Sequence, residues 1–194
     1  DVLLAPKNRE IFFARREIDF SYTYHEKVRF RCNGFFQQGN IGFALRLIPR
    51  YIRTIEELNL PLALKKFAEM RQGFFLVVGP VGQGKTTTLA AMIDLINTTR
   101  AEHIITIEDP IEYLFEAKQS IVDQREVRID TENFHSALIS AFREDVNVIM
   151  VGEMRGLETI ATAVTAAETG HLVLATLHTN NAAQTIDRII DSFP

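Results

Sequence analysis

The segment Gly79-Pro80-Val81-Gly82-Gln83-Gly84-Lys85-Thr86 fits the pattern G-x-x-x-x-G-K-[ST] at every fixed position. An apolar run over residues 74–78 precedes it, and a helical pattern over residues 86–97 follows. A loop of this kind works only where a buried strand passes into a helix. Its glycines let the backbone wrap closely, so that successive N–H groups form an anion nest, and the helix adds its positive N-terminal end. The pattern predicts that Lys85 reaches the β- and γ-phosphates of a nucleotide, that the Thr86 hydroxyl ligates Mg²⁺, and that Thr87 approaches the α-phosphate. The expected ligands are therefore ATP and Mg²⁺.

The rest of the chain is consistent with such a loop. From Gly73 onward, strand patterns at 104–107, 120–122, 148–151 and 172–176 alternate with helical patterns at 134–142, 157–167 and 182–190. Such alternation predicts an α/β fold, a mainly parallel sheet with helices on both faces. Before Pro49 the character differs. Residues 17–24, 28–36 and 42–48 are rich in aromatic and β-branched side chains and are separated by turn material at His25-Glu26-Lys27 and at 37–40, which predicts an antiparallel sheet. Thr54-Ile55-Glu56-Glu57 matches a capping box opening a short helix, and Pro61 restarts one. The expected division is a partial α+β domain over 1–48, a linker over 49–60 and the ATP-binding domain over 61–194.

Composition narrows the function classes. No apolar run approaches the ~20 residues of a membrane span. Asp1 is not a start methionine and no signal-peptide pattern follows it, so upstream residues are expected to be missing. The single cysteine, Cys32, excludes an internal disulfide and suits a reducing cytosol. A formal net charge of −4 argues against nucleic acid as the main partner, because phosphate neutralisation needs a basic stripe. No Cys or His spacing suggests zinc.

Two segments end in carboxylates where hydrolysis would need them. Val148-Ile149-Met150-Val151-Gly152-Glu153 is an apolar strand running into Glu153. Gly152 stands where many phosphate-loop enzymes carry the Mg²⁺-holding Asp, so Glu153 is expected to orient or deprotonate the attacking water. The strand at 104–107 runs into Glu108, Asp109 and Glu112. In a parallel sheet these carboxylates share the ligand-binding edge, and Glu108 and Asp109 are expected to hold Mg²⁺ through water. His171 opens the strand at 172–176 and His178 follows it, in a polar turn from which it can sense the γ-phosphate by hydrogen bonding.

These four segments, 79–86, 107–112, 151–155 and 169–180, resemble in order the Walker A, aspartate-box, atypical Walker B and histidine-box motifs of the type II/type IV secretion ATPases. The resemblance covers most of residues 73–194, with Gln83 in place of the usual serine and Gly156 where an acid commonly stands. Asp123-Gln124-Arg125-Glu126-Val127 and residues 186–194 resemble the pilus-retraction subtype. The resemblance implies a RecA-like ATPase domain preceded by a PAS-like domain, in a homohexameric ring at the cytoplasmic face of the inner membrane. The membrane would be met only through partners, the pilus platform protein and the pilin machinery. It further implies that Glu153 is the catalytic base, Glu112 the key aspartate-box acid, and His171 and His178 the histidine-box pair. Arginines at Arg29, Arg31 and Arg46 match those that reach nucleotide across the ring, with Arg31 favoured. The expected activity is ATP hydrolysis powering pilus retraction, with a pilus-assembly or secretion ATPase as the alternative. A RecA-like nucleic-acid motor and a non-hydrolysing nucleotide-gated module are the more distant ones.

Overall fold

The structure is a computed structural model that describes residues 3–25, 28–49, 51–154, 156–191 and 193. Arg155, at the end of the third motif segment, lies outside the described residues, as do Glu26, Lys27, Arg50, Ser192 and Pro194. The chain divides into two compact units, one of residues up to Tyr51 together with Glu112–Leu114, the other of Ile52–Ile111 and Phe115 onward.

The first unit contains α1 (Pro6–Arg15) and three antiparallel strands, β1 (Glu17–Tyr24), β2 (Val28–Gln37) and β3 (Asn40–Ile48), in the order β1-β2-β3. Strand alternation sorts the side chains. Phe20 and Cys32 pair across β1 and β2 and are buried with Phe12 of α1, whose ring stacks on Phe36 at 5.1 Å. A Cβ at Gly34 would lie 2.9 Å from the Phe43 ring and 3.2 Å from that of Phe12, so a glycine there admits both. The opposite face of the sheet carries Arg29 and Arg31 on β2, and Arg46 directly opposite Arg31 on β3. Helix α1 is not apparent from sequence. Its apolar residues are bunched at Ile11-Phe12-Phe13-Ala14 rather than spaced at helical intervals, and only packing against the sheet reveals its inner side.

The second unit is a three-layer α/β structure. Its elements are α2 (Ala63–Ala68), β4 (Gly73–Val78), α3 (Lys85–Thr99), β5 (His103–Glu108), β6 (Ile121–Glu126), α4 (Phe134–Ala141), β7 (Val148–Val151), α5 (Leu157–Glu168), β8 (Leu172–Leu177) and α6 (Ala182–Ile190). The five strands are all parallel, in the order β4-β8-β7-β5-β6. Alternate residues feed two cores. Ile105, Ile107, Ile149, Val151, Val173 and Ala175 pack with α4 and α5, while Ile104, Val148, Met150, Leu172 and Leu174 pack with α3. Central strands buried on both faces read as continuous apolar runs for this reason.

Two local expectations differ from the structure. Thr54 and Glu57 do form the reciprocal capping bonds, at 3.2 and 2.8 Å, yet the segment stays a turn. Asn59 adopts a left-handed φ of 52° and Leu60 N–H bonds back to Ile55, just before Pro61. Strand β6 runs through Glu126 rather than stopping at Val122. Its polar residues conceal the strand, but they are satisfied across the edge of the sheet: Asp123 accepts from His103 at 2.9 Å, and Arg125 binds Glu144 with two 2.8 Å bonds.

Candidate active site

Parallel strands deliver their C-terminal ends to one edge, and β8 lies between β4 and β7. The turns after these three neighbouring strands therefore meet, bringing Lys85, His178 and Glu153 together. The loop after β4 turns through Gly82 at φ 81° and Gly84 at φ 80°, left-handed values that disfavour a side chain. Gly84 is the N-cap of α3 and offers no side chain to the helix start, so the first-turn N–H groups face the loop.

Lys85 is buried, 8% exposed, beneath this loop. Its ammonium donates to the carbonyls of Gly79 and Pro80, both at 2.9 Å, and lies 3.3 Å from His178 Nδ1. Burial pushes its pKa below the ordinary lysine value, opposed by the nearby charge of Glu153. The other ring nitrogen of His178, Nε2, lies 3.4 Å from Glu153 Oε1. A cleft of about 520 Å³ adjoins this group, lined by Met154, His178, Asn180 and Asp187 among others.

Glu153 is positioned by the turn that carries it. Gly152 N–H donates to Ile107 O at 2.8 Å, Thr176 Oγ1 donates to Gly152 O at 2.6 Å, and Met154 N–H donates to Thr176 O at 3.1 Å. Thr176 is thus a positioning residue that sequence reasoning missed; the only sign of it was one hydroxyl in the apolar run Leu172-Val173-Leu174-Ala175-Thr176-Leu177. Gly152 has a steric reason. A Cβ there would lie 3.1 Å from Ile107 O, 3.4 Å from Glu108 Cα and 3.6 Å from Glu108 Cγ, so the side chain of Glu108 lies where one from residue 152 would go. Gly152→Asp is expected to lower stability by about 1–3 kcal/mol through overpacking against the β5 backbone. A chemical-denaturation midpoint equal to that of the unchanged protein would show that β5 yields freely.

Of the acids after β5, Glu108 is buried and accepts from Thr106 Oγ1 at 2.7 Å and Gln124 Nε2 at 3.2 Å. Asp109 is paired with Arg128 at 3.1 Å. Mg²⁺ usually keeps several waters and takes one or two protein oxygens beside substrate phosphates. Among the described residues no group of three or more His, Cys, Asp or Glu side chains is placed to hold a metal. Glu108 brings a carboxylate to the C-terminal end of β5, with Oε1 already accepting from Thr106 and Gln124.

The histidine pair is split. His171 precedes the six-residue β8, about 20 Å along the strand from His178. Its Nδ1 lies 3.0 Å from Ala166 O and its ring meets Phe142 edge-on at 5.6 Å. The fold does not bring His171 to the Lys85 group. In the first unit Arg29 donates to Ser21 Oγ at 2.9 Å, and Arg31 is paired with Glu112 at 2.8 Å. Arg31, Arg46, Glu112 and Tyr113 line a small cavity of about 160 Å³. No ion pair of Arg46 is found among the described residues.

Residues 55–191 match a family model described as Type II/IV secretion system protein. Over 192 residues the chain is 51% identical to the type IV pilus retraction ATPase PilT of Pseudomonas aeruginosa, a match covering 99% of this chain and 56% of that protein. A crystal structure of the pilus retraction motor PilT with bound ADP has a TM-score of 0.95 at 52% identity, again covering 99% of this chain and 56% of that one. The type IV pilus assembly ATPase PilB of Acinetobacter baylyi is 46% identical over 118 residues, 61% of this chain and 20% of that protein. The chain thus spans about half the length of the retraction ATPase it matches.

Proposed function

Since the chain belongs to the type II/IV secretion system protein family, we propose that it is the nucleotide-binding part of an ATP-hydrolysing motor that retracts type IV pili. The observation that carries the hydrolytic reading is the meeting of a phosphate loop, its lysine and a carboxylate at one sheet edge. Retraction is preferred to assembly because the likeness to a retraction ATPase extends over 99% of the chain, against 61% for the assembly ATPase.

The loop N–H groups of residues 79–86 hold the phosphates of ATP, and Thr87 borders the α-phosphate. Lys85 exchanges the carbonyls of Gly79 and Pro80 for β- and γ-phosphate oxygens. Thr86 would hold Mg²⁺, with Glu108 and Asp109 contributing through water; when bound, the metal neutralises charge on the phosphoryl group. Glu153 orients and deprotonates the attacking water, and His178 stands beside Glu153 and Lys85. Six copies form a ring, so that a cation from the first unit of one copy serves the nucleotide of another. Arg46 fills that role better than Arg31 or Arg29, because Arg31 is engaged by Glu112 and Arg29 by Ser21. Glu112 then acts by holding Arg31. His171, held by Ala166 and Phe142 at the opposite sheet edge, acts only through the ring or the fold. The motor works at the cytoplasmic face of the inner membrane, on the pilus platform and pilin machinery, and meets the membrane through them.

Glu153→Gln tests the hydrolytic role. The amide keeps shape and removes basicity, so turnover is expected to fall ~10²–10⁴-fold with nucleotide affinity retained. Phosphate release and nucleotide titration on the intact protein give the two values. A matching fall in affinity would make Glu153 a structural residue.

A further inference from the structure

The contacts of His178 determine where its proton sits. Lys85 has three N–H donors and no acceptor. Two of them have the carbonyls of Gly79 and Pro80, and the third direction is His178 Nδ1 at 3.3 Å. An ammonium can only donate, so Nδ1 is the acceptor and carries no proton. In the neutral ring the proton is then on Nε2, which lies 3.4 Å from Glu153 Oε1, a carboxylate oxygen that can only accept. A histidine with the opposite tautomer would set N–H against N–H on one side and lone pair against carboxylate on the other.

We propose that His178 is a positioning residue, locked as the neutral Nε2–H tautomer by Lys85, through which the lysine sets the orientation of Glu153. The strand order makes this linkage possible, since β8 lies between the strands that carry the other two residues. The Nε2–H group stands 3.4 Å from one oxygen of Glu153 and favours the carboxylate orientation that keeps that oxygen toward the ring. When Lys85 is drawn to a phosphate, the ring loses one of its two anchors and Glu153 is released to follow the reaction. The imidazole thereby links occupancy of the phosphate loop to the placement of the base. This role rests on the hydrolytic reading above, while the tautomer itself does not.

The test begins with the intact protein carrying ¹⁵N-labelled histidine, at neutral pH and without nucleotide. Long-range ¹H–¹⁵N correlations are expected to show His178, assigned by its loss in His178→Asn, as the Nε2–H tautomer. In Lys85→Met the same ring is expected to become a mixture of tautomers. An Nδ1–H ring or an imidazolium in the unchanged protein would overturn the proposal, as would a spectrum insensitive to Lys85→Met. In steady state, His178→Ala is expected to lose about 10²-fold in kcat, the scale of a misplaced reacting group, with KM changed less than about threefold. His178→Gln, whose amide can reach and donate toward Glu153, should retain more turnover than His178→Asn, whose shorter amide can accept from Lys85 but does not extend to Glu153. Asn equal to or better than Gln would show that Glu153 is not what the ring positions. Absence of turnover in the unchanged protein would sink the hydrolytic reading and leave the ring spectrum to decide the tautomer.

Discussion

Lys85→Ala is expected to reduce ATP turnover by at least about 10³-fold, at the upper end of what one preorganised donor to a developing charge contributes. Lys85 is the cation on the phosphate loop and is already desolvated, so its attraction for a phosphate is little screened by water. The same substitution removes the donor shared by Gly79 O, Pro80 O and His178, and the loop and the histidine lose their common anchor. Steady-state phosphate release by intact protein measures the effect. Activity near that of the unchanged protein would end the phosphate-loop reading. If the motor is a coupled ring, adding Lys85→Ala subunits to an unchanged pool should depress activity more than dilution does. A strictly linear decline would mean that neighbours act independently.

Arg46→Ala is expected to cost ~10³–10⁵-fold in turnover with the nucleotide affinity of a single subunit nearly unchanged, the range of an arginine finger in phosphate-loop enzymes. Lys at this position should rescue poorly, since it lacks the planar fork that engages two oxygens. Arg31→Ala is expected to cost less. Its ion pair with Glu112 has side chains 37% and 33% exposed, and such a pair contributes only about 0–1 kcal/mol. The decisive experiment mixes two inactive variants, Arg46→Ala and Glu153→Gln. Where the arginine serves a neighbour's nucleotide, some junctions unite an intact Arg46 with an intact Glu153, and partial activity returns. A mixture that assembles with unchanged subunits yet stays inactive would show that Arg46 acts within its own subunit. The same pairing with Arg31→Ala separates the two arginines.

Much of this molecule was legible in its sequence because its signals are local. The loop at 79–86 needs particular residue types at fixed spacing, since backbone curvature and phosphate contact are decided within eight residues. The runs at β5, β7 and β8 are mainly apolar because both faces are covered, and that property also belongs to each segment alone. Helix α1 was missed because its apolar residues follow no clear helical spacing, and β6 was cut short because charged side chains on an edge strand resemble a loop.

The sequence by itself determined which side chains stand at strand ends: Lys85, Glu108, Glu153 and His178 each follow or terminate a recognisable element. It could not determine which of them meet, because strand order depends on packing between segments distant along the chain. Only the placement of β8 between β4 and β7 sets His178 between Lys85 and Glu153 and leaves His171 at the opposite edge. The approach of β7 to β5 explains Gly152, whose side chain would enter space taken by Glu108. The pairing of Arg31 with Glu112, 81 residues apart, likewise follows from tertiary contact, and it turns the choice of a transferable cation toward Arg46. Residue type and spacing carry chemistry locally, whereas hydrogen bonds of a few ångströms between distant segments exist only once the chain has packed.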